Sequence, residues 1–160
     1  ERVWPSMAHV LYVDLSAKAE HWTKASAVAA ANDHCRVYIV SGKVKQRARR
    51  LIRELHGSKS EQYRLLAALV YLVVRDDLHR LTHIVIDKDY AGHQAEATIK
   101  NLLLALLRRD KPDATAGLVR FAEVRGSRAD RLAKLVYDGE AVPDRVVSFS
   151  ELEGLLRGKE

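Results

Sequence analysis

Thr82–Asp89 reads THIVIDKD, and the reading of this stretch decides the fold. Ile84-Val85-Ile86 is an unbroken β-branched run, the pattern of a strand buried on both faces. It stops at Asp87, and open α/β sheets place their ligands at the C-terminal ends of their strands. Asp87 is therefore a candidate carboxylate of a divalent-metal cluster. Asp89 is the alternative ligand, which would leave Asp87 as a turn former.

Upstream, His9–Leu15 (HVLYVDL) reads as a first strand with Asp14 near its end. Ser26–Ala31 (SAVAAA) reads as a second strand, with helix as a competitor because alanine is a poor strand former. Asn32-Asp33-His34 is a short polar turn, so a hairpin joins this segment to a third strand at Arg36–Val40. Lys43–Leu55 is a basic surface helix. Ser58-Lys59-Ser60-Glu61 has capping-box spacing and opens a long helix to about Leu81, with Leu65, Leu69, Leu72 and Val73 on one face.

Downstream, Tyr90-Ala91-Gly92-His93 reads as a loop and Gln94–Arg109 as a helix. Leu118–Val124 alternates as a strand, and Ser127–Asp138 is a helix opened by Ser127-Arg128-Ala129-Asp130. Val146–Phe149 is a short extended segment, and Ser150 with Glu153 caps a last helix. The order βββαβαβα implies an α/β fold with a mixed five-stranded sheet flanked by helices. The expected organisation is one domain over 1–160, with a C-terminal strand and helix extension from about 141.

The 160 residues are 48% hydrophobic and 30% charged, an ordinary globular composition. The longest apolar run, Leu65–Val74, is broken by Arg75-Asp76-Asp77 and is too short for a membrane span. ERVWPSM at the start lacks the regions of a signal peptide. One cysteine, Cys35, excludes an intrachain disulfide and fits a reducing, cytoplasmic compartment. A net charge of +6 from 27 basic and 21 acidic residues favours anionic partners such as nucleic acid, and no membrane is expected as partner.

The order of elements, with acids at these places, resembles the ribonuclease H-like superfamily. More narrowly, the chain is similar to the family catalogued as domain of unknown function 3800. Its Asp-Glu-Ser-Gly-like turn reads Asp14-Leu15-Ser16-Ala17, and its Glu-Leu-Lys-Gly-Ser-like stretch reads Glu54-Leu55-His56-Gly57-Ser58. The apolar strand ending in Asp matches at Ile84–Asp87, and the last motif reads Ser127-Arg128-Ala129-Asp130. The Glu, Gly, Lys and Gln of those motifs are replaced. The resemblance implies a ribonuclease H-like fold in which Asp14, Glu54, Asp87 and Asp130 are catalytic. It also implies that Asp14, Asp87 and Asp130 hold Mg²⁺ or Mn²⁺.

Carboxylates from separate elements suit that chemistry. Mg²⁺ takes one or two carboxylates beside phosphate oxygens and water, and two ions about 4 Å apart support phosphodiester cleavage. Lys43, Lys45, Arg47, Arg49, Arg50 and Arg53 would grip the polyanion. Blander roles exist for most of these residues. Asp130 occupies the N3 place of a capping box, Glu54 has Arg50 and Arg53 within reach on its helix, and a basic helix face is often simply solvated. His79 and His83 straddle a helix end without zinc partners. His93 is a loop histidine that also suits a phosphate contact. Cys35 reads as a core residue, and Trp4 and Trp22 form no stacking platform. Asp87-Lys88-Asp89 mimics the aspartyl-phosphate phosphotransferases, but those carry the motif on the first strand.

The leading expectation is a metal-dependent nuclease or phosphodiesterase. The alternative is a non-catalytic ribonuclease H-like module that binds nucleic acid or a protein. A third reading is an interaction protein without a nucleic-acid role.

Overall fold

The computed structural model describes residues 9–88 and 93–158. They form an α/β fold around one mixed sheet. β1 (Val10–Ser16), β2 (Ser26–Ala31) and β3 (Cys35–Val40) come first, then α1 (Gly42–His56) and α2 (Glu61–Val74). β4 (His83–Asp87), α3 (His93–Asp110), β5 (Val119–Ala122), α4 (Arg128–Tyr137), β6 (Arg145–Val146) and α5 (Phe149–Leu156) follow. The strand order is β5-β4-β1-β2-β3-β6. β1–β2 and β2–β3 are antiparallel, while β1–β4, β4–β5 and β3–β6 are parallel.

The sheet has six strands, not the five expected. The sixth comes from the C-terminal segment, whose backbone continues past β3. Asp144 N–H donates to the Val37 carbonyl at 2.7 Å and Val147 N–H to the Ile39 carbonyl at 2.8 Å. The Asp144 carboxylate also accepts from Val37 N–H. α5 then packs on α1 and α2. Its capping box is Ser148 with Glu151, two residues before the expected pair.

α2 stops at Val74 rather than near Leu81. Arg75–Arg80 tightens into a 3-10 turn, where Asp76 and Asp77 take Arg36 of β3 and Asp77 also takes Arg80. Three ion pairs thus fix the corner at the point where apolar sequence gives out. The expected capping box at the start of α2 does not form. Ser60 is the N-cap without a side-chain bond to the helix backbone, and its hydroxyl accepts from Arg64 Nε. Glu61 is buried and paired with Arg49 and Arg53.

The two faces of the sheet differ in size. One carries Leu11, Val13, Val28, Val40, Ile84 and Ile86 against α2, which is buried almost all round. Each such aliphatic side chain contributes about 1.5–3 kcal/mol on burial. The other face is built of small residues: Ala27, Ala29 and Ala31 of β2 meet Ala129 and Ala133 of α4. Those alanines disfavour a strand locally, yet β2 lies in mid-sheet, where their small side chains let α4 approach closely. Among the described residues no helix is long and apolar enough to cross a membrane.

Candidate metal centre

Alternation along the strands aims the acids. Leu11 and Val13 of β1 and Ile84 and Ile86 of β4 enter the large core, so Asp14 and Asp87 face the α4 side. Val13 and Ile86 are register partners in the parallel β1–β4 pair, which makes Asp14 and Asp87 the next pair along neighbouring strands. The first turn of α4 adds Asp130. The three carboxylates line one cavity of about 270 Å³ together with Ser16, Ala17, Arg125 and Lys134. All three acids are buried.

Hydrogen bonds hold two of them in place. Leu15 N–H donates to Asp14 Oδ1 at 2.8 Å. Gly126 N–H donates to Asp130 Oδ2 at 2.8 Å, from a turn in which Gly126 has φ 83°, a conformation that favours glycine. Asp130 N–H donates to Ser127 Oγ at 3.3 Å, and Lys134 Nζ lies 3.5 Å from Asp130 Oδ1. The Asp130 backbone therefore serves the helix cap, while its carboxylate reaches Gly126, Lys134 and Asp14.

The electrostatics split the pair. Burial, the Asp130 hydrogen bond and the charges of Asp87 and Asp130 push the Asp14 carboxyl up to about 8. Burial would also raise Asp130, but the Gly126 N–H, the Asp14 bond and Lys134 outweigh it and hold Asp130 below its ordinary value. One acid is protonated at neutral pH and its neighbour ionised, as expected for carboxylates sharing a site.

The other expected site residues lie elsewhere. Glu54 is exposed on α1 and is not among the residues lining the cavity. Lys45 is fully buried, and its ammonium donates to the carbonyls of Lys18, His21 and Lys24 and to Ser26 Oγ. It is thus a structural clamp, withdrawn from the basic face on which the sequence placed it. Arg49 and Arg53 pair with Glu61, Arg49 also lies over Trp22, and Arg47 lies over the Phe149 ring at 4.1 Å. Lys43 and Arg50 are exposed. Cys35 is half-buried. Trp4, Asp89 and the Tyr90–Gly92 part of the expected loop lie outside the described residues, as does the side chain of His93, the first residue of α3.

Arg125 and Lys134 are the cavity residues that the sequence did not single out. Lys134 follows Asp130 by four residues, a spacing that signals pairing on a helix; Arg125 sits in a connection and carried no signal. Among the described residues no group of three or more His, Cys, Asp and Glu side chains is set to hold a metal as it stands. Comparison with protein-family models, curated proteins and solved structures finds no match.

Ala17 borders the cavity with φ 64°, in the left-handed region where a Cβ costs about 1–2 kcal/mol. Ala17→Gly gives back roughly 0.4–1 kcal/mol to the freer unfolded chain. The expected net gain is about 0.5–1 kcal/mol, read as a higher urea midpoint at unchanged slope.

Proposed function

We propose that this chain is a Mg²⁺- or Mn²⁺-dependent nuclease or phosphodiesterase on a ribonuclease H-like fold. The observation that carries the reading is the meeting of Asp14, Asp87 and Asp130 in one cavity, from two neighbouring parallel strands and a helix start. The strand order supports it: an antiparallel β1–β2–β3 unit with β4 and β5 added parallel to β1 is the arrangement that the resemblance implies. The donor set is hard carboxylate oxygen, which fits Mg²⁺ or Mn²⁺ and not a thiolate or imidazole metal.

Asp14 and Asp87 would hold the ion from the sheet and Asp130 from the helix. Held there, a divalent ion supplies Lewis-acid polarisation of the phosphodiester and charge compensation at the leaving oxygen. Arg125 and Lys134, at the cavity wall, are placed to meet phosphate oxygens. Exposed Lys43 and Arg50 remain as candidates to hold polyanion further along. The location consistent with this reading is cytoplasmic.

Divalent-dependent cleavage of RNA, DNA, hybrid and branched substrates, compared between the wild type and Asp87→Asn, tests it. Activity only in the wild type is expected; equal activity in both, or none in either, defeats the nuclease reading. The alternative, a non-catalytic nucleic-acid-binding or protein-interaction module, is favoured by one observation: Glu54 is outside the cavity. It predicts salt-sensitive nucleic-acid binding without cleavage.

A further inference from the structure

Two adjoining cavities lie among α2, α3 and α5, across the sheet from the carboxylates. One, of about 440 Å³, is bordered by Tyr71, Arg75, Arg109, Asp110, Glu151 and Leu155. The other, of about 230 Å³, is bordered by Ala67, Ala68, Leu102, Leu106 and Leu156, and again by Arg109 and Leu155. Arg109 therefore stands where a polar chamber meets an apolar trough. The alanines at 67, 68 and 105, where leucine would fill the space, leave the trough open.

Two arginines and two carboxylates border the polar chamber, but no ion pair joins them among the described residues. Arg109 Nη1 is buried with no hydrogen-bond partner among the described residues. Neither Arg109 nor Arg75 has an ion pair among them, and Arg75 lies over the Tyr71 ring at 5.9 Å. The two carboxylates bordering the chamber have other partners. Asp110 accepts from the Tyr71 hydroxyl, while Glu151 pairs with Arg145 and accepts from Ser148 N–H. A buried, unpaired guanidinium N–H opposes folding, and an anion removes that cost.

We propose that this groove binds a small amphipathic carboxylate, its headgroup on Arg109 and Arg75 and its aliphatic chain along the alanine and leucine trough. The neighbouring Asp110 and Glu151 carboxylates favour a single negative charge over a dianion. The trough suits a flexible chain, since its lining side chains are aliphatic apart from Arg64 and Arg109. This inference does not depend on the metal centre.

Titration calorimetry of the full chain with decanoate, below its micellar concentration, tests it beside decanol and acetate. Decanoate is expected to saturate one site, with decanol and acetate each at least tenfold weaker. Arg109→Gln should weaken decanoate tenfold or more and leave decanol unchanged. Its melting temperature without ligand should be no lower than that of the wild type, because the substitution removes an unpaired donor. Ala105→Phe, at an exposed position on the trough, should weaken decanoate and decanol alike. Equal binding of decanol and decanoate, wild-type decanoate affinity in Arg109→Gln, or no saturable heat overturns the proposal.

Discussion

Asp14→Asn is expected to stabilise the protein at pH 7 by roughly 2–4 kcal/mol while removing divalent binding at the carboxylate cavity. The sign follows from the proton count. In the folded state the Asp14 carboxyl titrates at about 8, against an ordinary 3.8, so between those values the folded chain keeps a proton that the unfolded chain has released. The stabilisation from this proton is complete below pH 4 and is lost steadily as pH rises to about 8, at roughly 1.4 kcal/mol per unit. Asparagine carries no such proton, so the advantage of the variant should grow over that window. Its urea midpoint should therefore change less than that of the wild type between pH 5 and 8. Mg²⁺ must displace the same proton, so millimolar Mg²⁺ should raise the wild-type midpoint more at pH 8 than at pH 5.5 and leave Asp14→Asn unmoved. A variant less stable than the wild type at pH 7 would show that Asp14 serves the fold rather than the cavity. A gain of stability with loss of ligand is what an acid held at a cost for function predicts.

The strand ending at Asp87 and the hairpin behind Asp14 were legible because β-branched runs and polar turns act locally. The pairing of the two acids was offered only by the resemblance; what fixes it is that β1 and β4 lie side by side, with Val13 opposite Ile86. Other features depend on partners far away in sequence. β6 is two residues long and exists only because β3 offers it an open edge. The apparent capping box of Ser58 and Glu61 at α2 does not form: Ser60 stands at the N-cap instead, and Glu61 finds two arginines of α1. Glu54 shows the limit of motif matching: a residue can stand at the right place in the sequence while its helix face points to solvent. Lys45 shows it more strongly: charge alone groups it with five other cations, while its spacing to Ala48 and Ile52 puts it on the buried stripe of α1.

That inward lysine carries the largest expected loss of stability. Lys45→Met should cost at least about 3 kcal/mol, because four oxygens lose a charged donor at once. The carbonyls of Lys18, His21 and Lys24 lie 3.2, 2.9 and 3.0 Å from its ammonium, and Ser26 Oγ lies at 2.8 Å. Burial pushes Lys45 down to about 8, with Glu20 opposing, so at pH 7 it is still mostly the charged form that these acceptors need. Lys45→Arg should not rescue, since a planar fork cannot reproduce a compact ammonium in a site with no exposed surface. The segment is packed as well as bonded: a Cβ at Gly42 would lie 2.5 Å from the Thr23 carbonyl oxygen, so α1 rests directly on the loop between β1 and β2. That loop begins with Ala17, which borders the carboxylate cavity, and Ser26 Oγ closes it by donating to the Ala17 carbonyl at 2.7 Å. Lys45→Met should therefore speed amide exchange over residues 17–25 and lower Mg²⁺ affinity, although Lys45 does not line the cavity. Exchange and affinity both at wild-type values would show that the loop is held by packing against Gly42 alone.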